Sequence, residues 1–171
     1  MFWRLLKTAL FTVLVPGTVV YILPHWLILS ESGAHAWGLG TWRYLGLVPL
    51  VIGVPVYLRC AWDFAVSGLG TPAPIDAPRK LVVKGLYRFV RNPMYVGVGS
   101  ILAGEVILFE SSALLAYLAI LWLYFHLFVV FYEEPGLRRK FGGEYEDYCR
   151  RVPRWLPRFR ERRSLERHDG P

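Results

Sequence analysis

Four apolar runs dominate this chain of 171 residues, at about residues 8–29, 43–66, 94–110 and 112–132. A helix that crosses a bilayer needs roughly 17 to 25 mainly apolar residues, because the hydrocarbon core is about 30 Å thick. The total hydrophobic content of 54% is also too high for an ordinary water-soluble domain. We therefore predict an all-α, polytopic membrane bundle of about four transmembrane helices.

The last two runs are separated by one polar break, at Glu110, Ser111 and Ser112. So short a connection brings consecutive helices side by side, and it predicts a tight helical hairpin. The first run is longer than the roughly 7 to 15 apolar residues of a signal-peptide core, so we interpret it as a transmembrane helix.

The positive charges indicate how the helices are oriented. Lys and Arg concentrate before the first run, in the loop at 67–93 and after residue 137. Because these residues favour the cytoplasmic side, both termini and this loop are expected in the cytoplasm. The net charge of +7 needs no nucleic-acid partner, since cytoplasmic segments beside anionic lipid carry the same sign.

Composition divides the chain into three parts. Residues 1–66 hold two transmembrane helices, residues 67–157 hold a loop, the predicted hairpin and a C-terminal amphipathic helix, and residues 158–171 are predicted to be a disordered tail. The amphipathic helix is predicted from Phe141, Tyr145, Tyr148 and Val152, whose spacing places them on one helix face. A helix of this kind is expected to lie on the bilayer surface.

One group of polar residues precedes the third apolar run, in "GLYRFVRNPMYVG" at 85–97. Pro93 suits the first turn of a helix, and Asn92 before it is a candidate N-cap. Arg91 and Arg88 place positive charge beside this helix start.

A second polar group follows the fourth run, where Glu133 and Glu134 come directly after apolar and aromatic residues. Burying either carboxylate at a membrane boundary is costly unless a cation pairs with it. His126 lies seven residues earlier, on nearly the same helix face as Glu133. This histidine is either an interior hydrogen-bonded residue or a participant in chemistry.

Together the two groups could enclose a small polar ligand. Carboxylates, arginines, aromatic rings and glycines suit S-adenosylmethionine, although this reasoning permits that cofactor without singling it out. The sequence contains no cluster of metal ligands at the usual spacing, so no metal is predicted.

The segments 85–97 and 132–157, the second reading "YEEPGLRRKFGGEYEDYCRRVPRWLP", resemble signatures of a family of membrane methyltransferases. The family includes isoprenylcysteine carboxyl methyltransferase and phosphatidylethanolamine N-methyltransferase, and the similar region runs over about residues 68–157. The resemblance implies S-adenosylmethionine held at the cytoplasmic end of a helical bundle, and a lipophilic acceptor that enters from the bilayer.

The resemblance also suggests roles for single residues. Glu133 or Glu134 would bind the amino group or ribose of the cofactor, and Arg91 or Arg88 would bind its carboxylate. His126 is a candidate general base for an amine acceptor. The predicted cofactor-binding residues are Arg91, Asn92, Tyr95, Gly97, Gly99, Glu133, Glu134, Tyr145 and Tyr148.

The resemblance leaves the acceptor open between an isoprenylcysteine carboxylate, a phospholipid amine and a related small molecule. "NPMY" and "YEEP" resemble the phospholipid enzymes, whereas "FGGEYEDYCRRVP" resembles the carboxyl methyltransferases. The carboxyl methyltransferases carry Arg-His-Pro where this chain has Arg91-Asn92-Pro93. Two other classes stay open: an NADPH-dependent oxidoreductase similar to sterol reductases, and a membrane scaffold without enzymatic activity.

Overall fold

The computed structural model describes Leu10 and residues 13–30, 37–66 and 81–157, and within these residues helix is the regular secondary structure. The predicted disordered tail and most of the loop at 67–93 lie outside the described residues. The helices are α1 (Val13–Ser30), α2 (Leu47–Val66), α3 (Pro93–Phe109), α4 (Ser112–Phe128), α5 (Glu134–Phe141) and α6 (Gly143–Arg151). The all-α prediction is thus confirmed for the described part of the chain.

Three helical stretches are long and apolar enough to cross a membrane: Val13–Ser30, Gly40–Asp63 and Ser112–Phe141. The second includes a 3-10 segment, Gly40–Gly46, that leads into α2. Helix α3 is also apolar but has 17 residues, which makes it shorter than these three.

The last of these stretches extends further than the sequence predicts. The apolar run ends near residue 132, but the helix continues through a π-helical turn, Val129–Glu133, into α5. Continuation is possible because Glu134, the first residue of α5, is buried among arginine side chains and does not face lipid.

Helices α2 and α3 pack in antiparallel order with their backbones in contact. A Cβ atom added at Gly53 would lie 2.7 Å from the carbonyl oxygen of Gly97, and Gly46 meets Gly104 in the same way farther along. Small residues let membrane helices approach this closely, so that van der Waals packing holds them together. As a result α3 is enclosed along most of its length.

Two residues join α3 to α4. Glu110 is almost fully buried, takes a left-handed backbone conformation at φ 52° and accepts a hydrogen bond from the backbone N–H of Leu39 at 3.0 Å. Ser111 is the N-cap of α4, since its hydroxyl accepts a hydrogen bond from the N–H of Leu114 at 3.1 Å. This connection and residues 37–40 lie at the same end of the bundle, where α3 ends and α4 begins.

Helix α4 covers a further side of α3. The ring of Trp122 lies so close to Gly99 that an added Cβ would be 2.9 Å from Cζ3 of the indole. The Tyr117 hydroxyl donates a hydrogen bond to the carbonyl oxygen of Val19 at 3.0 Å, which ties α4 to α1.

The arginine-rich end, residues 81–92 and 134–157, lies where α2 ends and α3 begins. The predicted aromatic stripe is found here, but Tyr145, Tyr148 and Val152 are buried against protein, including Leu81 and Val83. The expectation that this face lies on the bilayer is therefore wrong. Gly142, at φ 52°, breaks the helix after Phe141 and lets α6 turn its aromatic face toward residues 81–83.

We predict that Gly53→Ala destabilises the bundle by about 1 to 3 kcal/mol, because the added methyl group overpacks a contact between two backbones. Gly136→Ala is the matched control, since no atom lies within 4 Å of its Cβ position in α5. That control should be neutral or slightly stabilising, as alanine is the better helix former. Thermal unfolding in detergent measures both, and a Gly53→Ala protein as stable as wild type would refute the close contact.

Candidate active site

The arginine-rich end is organised around the carboxylate of Glu134, which is 2% exposed. Arg154 binds it through two parallel contacts, Nε to Oε1 at 2.7 Å and Nη2 to Oε2 at 2.9 Å. Arg91 Nη1 lies 2.9 Å from Oε1, and Arg138 Nη2 lies 3.7 Å from Oε2. Three guanidinium groups thus surround one buried carboxylate, and Arg138 also pairs with Glu146, through Nε to Oε1 at 2.8 Å.

Arg91 has hydrogen-bonding capacity that the described residues do not use. Its side chain is 12% exposed, and Nη1 also donates to the Cys149 sulfur at 2.9 Å. The Nε atom is buried and has no hydrogen-bond partner among the described residues. A buried donor without an acceptor costs about 1–3 kcal/mol, so this N–H suits an anionic or carbonyl oxygen of a ligand.

Glu133 precedes Glu134 in the sequence, but its environment differs from that of Glu134. Its Oε2 accepts a hydrogen bond from the hydroxyl of Tyr95 at 3.2 Å. The Tyr95 ring packs against Phe125 of α4, with centroids 4.7 Å apart. Glu133 closes the π-helical turn, a local irregularity that is frequent at functional sites.

Asn92 is 8% exposed, and its side-chain amide donates to the carbonyl oxygen of Arg154 at 3.3 Å. Asn92 is the N-cap residue of α3, as predicted, but its side chain makes no cap hydrogen bond to that helix. The amide is instead committed to the chain after α6, where Pro153 also accepts a hydrogen bond from the backbone N–H of Arg91 at 2.9 Å. Both contacts hold this returning segment against the start of α3.

Gly97 and Gly99 are both buried inside the bundle. Gly97 faces the backbone of α2, and Gly99 faces the indole of Trp122. The structure thus explains both glycines by helix packing. Contact between their backbone and a cofactor stays a prediction.

Tyr145 and Tyr148 are buried on α6, and burial is the main reason that the pKa of each is raised. Both phenols therefore stay protonated and neutral at ordinary pH. The Tyr148 hydroxyl donates to the carbonyl oxygen of Tyr87 at 2.7 Å, while Tyr145 lies beside Arg91 and Cys149. Contact of either phenol with a cofactor or substrate stays a prediction.

His126 meets a residue from the C-terminal segment. Its Nδ1 accepts a hydrogen bond from the indole N–H of Trp155 at 3.2 Å. Trp155 also packs on Trp122, with ring centroids 4.8 Å apart. The Nδ1 lone pair is therefore in use, and a proton-accepting role for His126 would fall to its other ring nitrogen.

Sequence reasoning missed several residues of this site. Arg154 and Trp155 stand in the segment "VPRWLP", and their contribution depends on that segment folding back across the bundle. The available signal was the need of a buried Glu134 for cationic partners. Arg88, the alternative to Arg91, is exposed on the surface.

Comparison with known proteins identifies the family of this chain. The sequence model of the phospholipid methyltransferase family matches residues 41–144. A relative from Oryza sativa subsp. indica, named "Probable protein-S-isoprenylcysteine O-methyltransferase", is 38% identical over 117 residues, which cover 67% of this chain and 60% of the relative. A relative of the same name from Oryza sativa subsp. japonica has the same identity and coverage.

Protein-S-isoprenylcysteine O-methyltransferase B of Arabidopsis thaliana is 34% identical over 83 residues, which cover 46% of this chain and 40% of that protein. The chain thus spans 60% of the length of the rice relatives that it matches. No solved structure matches it. Because the family model covers more than half of the chain and both motif regions begin within it, this protein belongs to the phospholipid methyltransferase family.

Proposed function

We propose that this protein is an integral membrane methyltransferase that uses S-adenosylmethionine and acts on a lipophilic acceptor. Family membership and the names of the plant relatives support the reaction class. The observation that carries the cofactor assignment is the unused buried N–H of Arg91, whose ion-pair partner Glu134 directly follows Glu133 in the sequence.

The amino-acid end of S-adenosylmethionine is a zwitterion, and the side chains of Arg91 and Glu133 have the matching charges. Arg91 Nε would receive a carboxylate oxygen, which satisfies the buried donor. Glu133, which accepts a hydrogen bond from the neutral hydroxyl of Tyr95, would receive the ammonium group. Glu134 is already bound by three arginines, so we assign it to holding Arg91 and Arg154 in place.

S-adenosylmethionine, when bound, supplies a methyl group already activated by its sulfonium centre. The chain therefore needs no nucleophilic side chain, and its task is to align two reactants. Arg91 and Glu133 would orient the cofactor. Tyr95, whose ring packs against Phe125, would hold Glu133 in place through its hydrogen bond. An amine acceptor would in addition need a proton acceptor, for which His126 is the candidate.

For the acceptor, the names of the relatives support an S-isoprenylcysteine carboxylate. The phospholipid amine is the second class, supported by the name of the matching family. Both have long apolar chains, which fits a site next to helices that are exposed to lipid over much of their surface.

We further propose that α3 is a fourth membrane span and that both termini lie in the cytoplasm. Helix α3 lies in contact with α2 and α4, both part of longer apolar stretches, which supports its placement within the bilayer. The bias of Lys and Arg supports the orientation and places the arginine-rich end on the cytoplasmic side.

Topology can be tested by thiol labelling in sealed vesicles. In a variant without Cys60 and Cys149, cysteines introduced at Ser32 and Ala73 should label from opposite sides, because one span, Gly40–Asp63, separates these two positions. Labelling of both positions from one side would contradict the four-span topology.

The cofactor assignment predicts that purified protein binds S-adenosylmethionine and not NADPH. Arg91→Ala and Glu133→Gln should each weaken this binding by roughly 1.5 to 3 kcal/mol, the usual loss for one charge-assisted hydrogen bond. Calorimetric titration measures the change. Arg139→Ala, an exposed arginine of α5, is the matched control and should leave the affinity unchanged.

A methyl-transfer assay on the same preparation decides the acceptor. Labelled S-adenosylmethionine is supplied with an S-prenylcysteine or with phosphatidylethanolamine, and transfer to the S-prenylcysteine is expected. Transfer to the amine alone would move the protein to the second acceptor class, and NADPH binding without S-adenosylmethionine binding would refute the methyltransferase proposal.

Substitutions of the two adjacent glutamates should differ in their effect on stability. Glu134→Gln removes the buried charge with which Arg91 and Arg154 pair, so we expect a loss of stability of about 3 to 5 kcal/mol, as for other broken buried ion pairs. Glu133→Gln should unfold close to the wild-type temperature. Thermal unfolding without cofactor compares them, and equal stability of the two variants would contradict the central place given to Glu134.

A further inference from the structure

The cytoplasm-facing end of α2 carries a carboxylate that the site described above does not use. Asp63 is 13% exposed at its side chain, and its Oδ1 lies 3.4 Å from Nε of Arg59, one turn earlier. Its second oxygen, Oδ2, is buried and makes no hydrogen bond within the described residues. The ion pair with Arg59 fixes the direction of the carboxylate, and the second oxygen then faces away from solvent.

That second oxygen occupies the place where a side chain of Gly85 would be. A Cβ added at Gly85 would collide with Oδ2 and would lie 3.3 Å from the carboxyl carbon of Asp63. Gly85 also has φ 58°, a conformation that suits glycine. At this residue the chain turns from extended backbone at Lys84 into the 3-10 turn Gly85–Arg88.

The turn beginning at Gly85 is held from two sides. On the α2 side, Tyr87 packs against Cys60 and shares a hydrogen bond with its sulfur. On the α6 side, the carbonyl oxygen of Tyr87 accepts the hydroxyl of Tyr148 at 2.7 Å. The turn therefore joins α2 to α6, and Arg91 lies three residues after its end.

We propose that Asp63 is a positioning residue, which fits against Gly85, fixes the 3-10 turn and thereby places the guanidinium of Arg91 in the site. This inference rests on the proposed function for its effect on cofactor binding. Without Asp63, the turn would keep its support from Tyr148 but lose a contact with α2. Arg91 would then have to be ordered when the cofactor binds, which lowers affinity.

A double-mutant cycle tests whether Asp63 acts through Arg91. Asp63→Ala should raise the Kd for S-adenosylmethionine at least about threefold, within the range of coupling between residues of one network. In an Arg91→Ala background the same substitution should leave the Kd unchanged, and Arg91→Lys replaces that background if the alanine variant does not fold. An equal change in both backgrounds, or none in wild type, would overturn the proposal.

The fit between Asp63 and Gly85 is tested with a matched pair of glycines. Gly85 and Gly40 have φ of 58° and 56°, but atoms obstruct a Cβ at Gly85 whereas none lies within 4 Å at Gly40. Gly85→Ala should therefore raise the Kd and Gly40→Ala should not. Adding Asp63→Ala to Gly85→Ala should recover part of the affinity, and absence of any recovery would refute the steric fit.

A readout without cofactor separates this inference from the proposed function. Cys149 Sγ contacts Arg91, so a displaced Arg91 should change the rate at which this thiol reacts with an alkylating reagent, through both charge and access. Peptide mass spectrometry resolves Cys149 from Cys60, and Asp63→Ala should change the alkylation rate at Cys149 while Gly40→Ala does not. An unchanged rate would overturn the positioning role even if wild type binds S-adenosylmethionine. Wild-type protein that binds no S-adenosylmethionine, with the changed alkylation rate observed in Asp63→Ala, would refute only the proposed function.

Discussion

The buried carboxylate of Glu134 is the constraint on which the arginine-rich end depends. A carboxylate in a poorly solvated place is tolerated when cations and hydrogen bonds compensate for the lost water. Here the compensating groups come from three separate parts of the chain, at Arg91, Arg138 and Arg154. The start of α3, the helix α5 and the segment after α6 must therefore meet at one point, and their meeting encloses the site.

This dependence explains why α4 and α5 form one continuous helix. The chain passes from lipid-facing aromatic residues to charged residues without a loop, and a π-helical turn takes up the change. With Glu134 neutralised inside the protein, backbone hydrogen bonding can continue past the end of the apolar run. The neighbouring Glu133 is left outside the arginine cluster, so one pair of identical side chains obtains two different environments.

Much of the fold could be predicted, because apolar runs and their lengths are written directly in the sequence. The site was predictable where a residue has a physical need: a buried Glu134 needs cations, and Arg91 lies beside a helix start. The contacts that Arg154 and Asn92 make could not be predicted, since their partners lie across the bundle and no local pattern encodes them. The aromatic stripe of α6 correctly predicted that this helix face is covered by apolar groups. Periodicity does not show whether those groups are lipid or, as here, residues 81–83 of the same protein. Gly97 and Gly99 pose the same difficulty. The sequence shows that another group can approach their backbone closely, but not whether that group is a cofactor or a neighbouring helix.

The length of α3 has a consequence for the membrane itself. At 17 residues and about 1.5 Å per residue, this central helix is roughly 25 Å long, about 5 Å less than a typical hydrocarbon core. It is packed against longer neighbours through backbone contacts and has little freedom to tilt independently. If α3 is a fourth span, as proposed above, thinning of the surrounding bilayer is one way to relieve a hydrophobic mismatch of this size. The lipid headgroups would then be drawn inward toward the arginines, so that a reactive group anchored at the membrane surface need not leave the bilayer to reach them.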